Sequence, residues 1–153
     1  MSADLSLSTS FNQTWPLVWA AGFVDGEGCI SLSKTVQPGR RHPTYRPRFD
    51  VCQNNREVLV YLRDVLDEEA GLYVNKWQPS HNRQTYTLVY DGVHALRAIA
   101  KLRPHLRRKD VEAEVLLSYP ERGWMGVHPG PTGYPPAVWA ERERIYRKLR
   151  KLK

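Results

Sequence analysis

The 153-residue chain is poor in sulfur, with two methionines and two cysteines, Cys29 and Cys52. Two thiols cannot build a disulfide scaffold or a zinc site of four thiolates, so both read as free thiols in a reducing compartment. No run of about 18 apolar residues occurs, which excludes a helix that spans a membrane. The opening MSADLSLSTSFNQ lacks a basic stretch followed by an apolar one. It does not read as a signal peptide, and residues 1–13 are expected to be a flexible polar leader. An intracellular protein follows, cytoplasmic in a prokaryote and otherwise organellar. The five histidines, His42, His81, His94, His105 and His128, show no zinc spacing. Acid is also scarce: 16 Asp and Glu face 23 Lys and Arg, for a net charge of +7. That balance favours a polyanionic partner, nucleic acid before a membrane surface. The bases are mostly arginine, 16 against 7 lysines. Arginine is the better reader of phosphate and of guanine edges.

What is present reads as one α+β domain over residues 1–153. Thr14-Trp15-Pro16 looks like a helix start, with Thr as cap and Pro in the first turn. That helix runs to about Asp25, and Gly26 and Gly28 stop it. Cys29–Gln37 alternates as a strand, with Ile30, Leu32 and Val36 on one face. PGRRHP makes a turn. Tyr45–Gln53 is a second strand, with Tyr45, Phe49 and Val51 inward and Arg46, Arg48, Asp50 and Cys52 outward. Asn54 or Asn55 caps a helix that ends at Gly71, with Val58, Leu59, Leu62, Val65 and Leu66 on its apolar face. Leu72–Gln78 and Thr85–Tyr90 read as strands around a PSHNRQ turn, Leu72 and Val74 pointing inward. A helix from DGVHAL stops at Pro104, and another covers Arg108–Ser118. Residues 120–136 form a loop rich in Pro and Gly. Residues 137–153 form a basic amphipathic helix that aligns Val138, Arg142, Ile145, Leu149 and Leu152. The expected architecture is a mixed four-stranded sheet with helices on one face and further helices at the C-terminus.

One stretch carries more than fold. Ala20-Ala21-Gly22-Phe23-Val24-Asp25-Gly26-Glu27-Gly28 resembles the signature of the LAGLIDADG homing endonucleases. The element order after it is similar to that family's αββαββα core, from about Trp15 to Ser118. The motif occurs once, which resembles the homodimeric branch rather than the two-motif monomers. Gly22 and Gly26 are four apart and lie on one helical face, where two helix backbones can approach closely. The resemblance implies a homodimer with Ala21, Gly22 and Asp25 at the interface. It implies an intron-encoded, site-specific DNA endonuclease that uses Mg²⁺ (or Mn²⁺). Glu27 occupies the motif's metal-binding position, with the Gly26 carbonyl as a further ligand. Two such carboxylates brought together at a two-fold axis cannot both stay ionised without a cation. Gln53, in FDVCQNN, and Lys109, after LRPHLRR, match the family's water-orienting and charge-screening residues. Glu57 departs from the family, which often has an arginine there; Arg56 is adjacent and is the alternative.

The outward strand faces and the turns offer base-reading and phosphate-binding groups: Ser31, Ser33, Thr35, Gln37, Arg40, Arg41, Arg46, Arg48, Asp50, Asn75, Trp77, Arg83, Thr85 and Thr87. Arginine suits guanine, Asn or Gln suits adenine, and Asp can accept from cytosine. His42 and His81 lie in the same turns. A strand of about 8 residues spans about 26 Å. Two subunits would therefore cover roughly 15–20 base pairs of a near-palindromic duplex. The same surface would serve a maturase-like intron RNA-binding protein or a DNA-binding protein without catalysis. Glu27 separates these readings, since an inert binder needs no acid at a helix C-terminus, where the macrodipole disfavours it.

Overall fold

The structure, a computed structural model, describes residues 2–80, 82–120, 129–130 and 133–153, with residues 2–13 described by backbone alone. Helix α1, Ser2–Glu27, leads into strands β1, Gly28–Thr35, and β2, Thr44–Gln53. Helix α2, Arg56–Leu66, then crosses to β3, Gly71–Val74, and β4, Tyr86–Asp91. Helix α3, Val93–Leu102, runs into a 3₁₀ turn, Arg103–His105, and α4, Asp110–Leu117. Helix α5, Pro136–Lys151, ends the described fold. No helix of the described residues is long and apolar enough to cross a membrane.

The sheet has the order β1-β2-β4-β3 and every pairing is antiparallel, which corrects the expected mixed sheet. The cause is α2, which carries the chain from the centre of the sheet to its far edge. There β3 enters, and β4 returns between it and β2. Register fixes the faces. Ile30, Phe49 and Tyr90 stand opposite one another across three strands, as do Val51, Leu88 and Leu72 across another three. These residues, with Leu32 and Tyr45, face the helices and form the core with Ala20, Ala21 and Val24 of α1, Leu59, Leu62 and Leu66 of α2, and Ile99, Leu102, Leu116 and Ile145. The opposite face carries the polar side chains and, among the described residues, no helix.

Several boundaries differ from the expected ones. The backbone of α1 begins at Ser2, so residues 2–13 continue the helix rather than form a leader, and Pro16 lies inside it. Asn55 caps α2, its side chain accepting from the Val58 amide at 3.2 Å. The helix ends at Leu66 rather than Gly71, because Asp67 takes the left-handed conformation and its amide returns to the Arg63 carbonyl. Strand β1 ends at Thr35, leaving Val36 74 % exposed, and β3 ends at Val74, which keeps the expected face but is also exposed. Val36 lies past the end of its strand, whereas Val74 pairs with Tyr86 on the face of Leu72 but stays exposed at the end of the edge strand. Within the loop expected at 120–136, residues 121–128 and 131–132 lie outside the described residues. In α5, Val138, Arg142, Ile145 and Leu149 are buried, while Leu152 is exposed.

Candidate functional site

The C-terminal end of α1 meets the sheet at Gly28. A Cβ there would lie 2.8 Å from the Val24 Cγ1, 2.9 Å from the Val24 carbonyl and 3.2 Å from the Phe49 ring. Glycine is thus required by close approach of helix to strand. Gly22 and Gly26 are different: both are exposed, and a Cβ at either would meet nothing within 4 Å. Trp15, Val18 and Trp19 are exposed on the same side of the helix, at helical spacing from Gly22. Trp19 stacks on Phe23 at 5.3 Å and meets Tyr61 edge-on at 4.9 Å. Ala21, expected at a subunit interface, is fully buried in the chain's own core and has no surface to offer a partner.

Asp25 also turns inward. Its carboxylate accepts the Arg107 amide at 2.8 Å and the Lys109 amide at 3.0 Å. The Arg108 guanidinium reaches the Asp25 carbonyl at 3.4 Å. The acid that sits at the unfavourable end of α1 is therefore placed at the start of α4, where an anion is favoured. Its effect is to tie the Leu106–Lys109 segment to the tip of α1. The backbone of Lys109 is thereby anchored to a residue two positions from Glu27.

Glu27 is exposed, and among the described residues no ion pair or side-chain hydrogen bond holds its carboxylate. Gln53 closes β2 at the same end of the sheet, where Gly28 stands opposite Val51. It pairs with Tyr86, so it shares the face of Val51 and not that of Arg48 and Asp50. Asp25, Glu27, Gln53 and Lys109 thus come to one end of the sheet. The described residues contain no group of three His, Cys, Asp or Glu able to hold a metal ion. One exposed carboxylate with an adjacent carbonyl fits a hard cation that takes one or two carboxylates and completes its shell with water and phosphate. Glu57 pairs with Arg56 at 3.6 Å, both well exposed.

The outward sheet face holds Ser31, Ser33 and Thr35 of β1, Arg46, Arg48 and Asp50 of β2, and Thr87 of β4. Asn75 lies just past β3, where its amide bonds the Thr85 carbonyl at 3.0 Å and so extends the pairing. The Asn75 side chain donates to Thr85 Oγ1 at 3.0 Å and accepts from Thr87 Oγ1 at 2.9 Å. Gln37, Arg40 and Arg41 lie in the β1–β2 connection, and Trp77 and Arg83 in the β3–β4 connection, all exposed. His42 stacks on Trp139 at 4.7 Å and belongs to the α5 packing instead; His81 lies outside the described residues.

The sequence alone leaves two roles open for the basic helix α5, phosphate contact or packing beside the core. Helix α5 runs beside β1, and Lys153 comes within 3.2 Å of the Cys29 sulfur. Its middle is fixed by Glu143, which accepts from Lys34 at 2.8 Å and from the Tyr45 hydroxyl. These donors, Lys34 first, hold the Glu143 carboxyl at about 2. Burial and the same acid push the Tyr45 phenol up. Arg142 is buried between the rings of Tyr119, Tyr134 and Trp139 and donates to the Pro120 carbonyl at 3.1 Å. No spacing rule announces such contacts, since most of the partners lie on different elements.

Sequence comparison with family models and with curated proteins finds no match. Among solved structures, the homing endonuclease I-CvuI bound to a DNA target is similar with a TM-score of 0.72 and 22 % identity, over 94 % of this chain and 85 % of that one. The archaeal intron-encoded homing endonuclease I-Vdi141I, complexed with DNA, gives a TM-score of 0.64 and 19 % identity, over 95 % and 86 %. The chain has the fold of the LAGLIDADG homing endonucleases: the four-stranded antiparallel sheet, backed by helices, with the signature segment ending α1.

Proposed function

We propose, from this fold, that the protein is a site-specific endonuclease for double-stranded DNA, dependent on Mg²⁺ or Mn²⁺ and acting as a homodimer. The observation that carries the reading is the pairing of two features of α1. Its open face, Gly22 and Gly26 beside the exposed Val18 and Trp19, has nothing packed over the two glycines among the described residues. Its tip offers an unpaired acid, Glu27. Exposed apolar side chains beside a smooth glycine surface suit a second helix of the same kind. A two-fold axis along this face brings both Glu27 tips together under a duplex lying on the two sheets.

Glu27 and the Gly26 carbonyl would hold the ion, with phosphate oxygens and water as the other ligands. The ion supplies positive charge that lowers the pKa of coordinated water and screens charge on the reacting phosphate. Gln53 orients the attacking water through its amide. Lys109, held by Asp25, screens the charge that grows on the phosphate as the 3′-oxygen leaves. Support for a divalent ion and for DNA comes from I-CvuI, solved on DNA targets with Mg and with Ca. The polar sheet face and the +7 charge support the duplex as ligand.

The test is cleavage of a duplex selected for binding from a randomised library, with Mg²⁺ and with EDTA. Glu27→Gln is expected to keep binding and to lower the cutting rate by about 10²-fold or more. Cutting that persists in EDTA, or that the variant performs at the wild-type rate, rejects the proposal.

A further inference from the structure

The exposed sheet face carries two acids, Asp50 and Asp91, at its centre, where a polyanion would lie. Register puts Ser31, Arg48 and Asp91 in one row across β1, β2 and β4, and Cys29, Asp50 and Val89 in the next. Arg48 therefore stands on the same face as both acids and between them. Its Nε donates to the Asp50 Oδ2 at 3.0 Å, and its Nη1 lies 3.9 Å from the Asp91 Oδ1. The Arg48 side chain remains 37 % exposed, so it is held without being covered. Arg40, Arg41, Arg46 and Arg83 form no ion pair with a described residue, so this arrangement is peculiar to Arg48 among the arginines expected on this face.

We propose that Arg48 reads a guanine in the major groove and that Asp50 and Asp91 are positioning residues that aim it, rather than base readers themselves. The proposal rests on the DNA-binding reading above and names what one part of that surface recognises. A guanidinium has five donors in a fixed fork. Asp50 takes the Nε hydrogen, and Asp91, 3.9 Å from Nη1, lies beyond hydrogen-bond distance, so among the described residues the hydrogens of both terminal nitrogens remain without an acceptor. That pair matches the N7 and O6 acceptors of guanine, and no other base edge offers two acceptors at that spacing. Arginine otherwise loses much rotamer freedom on binding; here the loss is taken during folding. The arrangement also accounts for the acids. Unpaired, Asp50 and Asp91 would repel phosphate; with Arg48 beside them the cluster keeps about one negative charge rather than two, which suits a base edge more than a phosphate, while the free arginines around them meet the backbone. Asp50 engages Arg48 through Oδ2, and the assignment gives it the task of aiming that guanidinium rather than of accepting from cytosine, which its residue type alone suggests.

The experiment is selection of bound duplexes from a randomised library, followed by competition binding on the enriched site, with folding of every variant checked by thermal melting. The wild type is expected to enrich guanine at one column of each half-site, with discrimination there of about tenfold or more. Arg48→Ala and Arg48→Lys should both lose that column while the others persist. Asp50→Ala should keep guanine as the preferred base but lower the discrimination severalfold, and Asp50→Asn, which retains one acceptor, should restore part of it. An enriched site whose guanine column is indifferent to Arg48 overturns the assignment, and so does a cytosine column that vanishes in Asp50→Ala. A wild-type protein that enriches no duplex at all overturns the DNA-binding reading, and this proposal with it.

Discussion

Asp25 shows how one side chain can invert a rule that its position suggests. At the end of α1 it faces the negative pole of its own helix. The compensation comes from two backbone amides, of Arg107 and Lys109, in the segment that leads into α4. Asp25→Ala leaves two amides without a protein acceptor and should cost about 1–3 kcal/mol, read as a lower denaturant midpoint. It should also lower cutting, because Lys109 loses its tether; Asp25→Asn should keep part of both. Gly28→Ala is expected to destabilise by about 1–3 kcal/mol, since Val24 and Phe49 must move to admit the methyl group. Glu143 gives a pH test. Its folded pKa, about 2, lies below the ordinary 4.5, so its contribution is complete above 4.5 and is lost as pH falls through about 2. The melting-temperature gap between wild type and Glu143→Gln should therefore shrink steadily across that window and be flat above it.

At the scale of the element, α1 has two sides with different demands. One side, through Ala20, Ala21 and Val24, is spoken for by the core. The other asks nothing of Gly22 and Gly26 within the protomer. The consequence is a pair of opposite expectations. In a dilute protomer Gly22→Ala should be neutral to stabilising by up to about 1 kcal/mol, through helix propensity alone. Gly22→Leu should leave the protomer folded but shift the DNA-bound species from two chains to one in sedimentation. A Gly22→Leu variant that still binds DNA as a dimer would remove this face from the interface. The strands make a contrasting case. Their alternation identifies the inward residues wherever a strand is paired on both sides, as in β2. Alternation does not foresee that Val36 and Val74 are exposed, because each sits at or past the end of the pairing its strand makes.

On the scale of the whole molecule, the sheet's open face continues past its edge onto α5. The helix packs along β1, and Lys153 approaches Cys29 near the Glu27 end of the strand. Arg150, two turns beyond Glu143, rests against Tyr146 with its charge exposed. A duplex on the sheet would meet these charges at its backbone. Replacing Arg150 and Lys153 by Ala should lower affinity for all sequences alike and reduce the salt dependence of log K by about one unit for each phosphate that is no longer neutralised. A change in sequence preference instead would show that the α5 tip reads bases.

The amino-acid order alone determined most element types, the inward residues of the long strands, the acid at Glu27 and the positions Gln53 and Lys109 as candidates. Those features are local: periodicity, capping and a nine-residue signature are all written within a few turns of chain. Only the tertiary structure decided that the sheet is antiparallel throughout, that Ala21 is core and Gly22 surface, that Asp25 holds the segment leading into α4, and that Arg48 is held between two acids. Most of these depend on groups far apart in the chain, up to 84 positions for Asp25 and Lys109. Which of many chemically plausible partners a charged or small residue meets is set by how the helices and strands pack, and no local pattern encodes that choice.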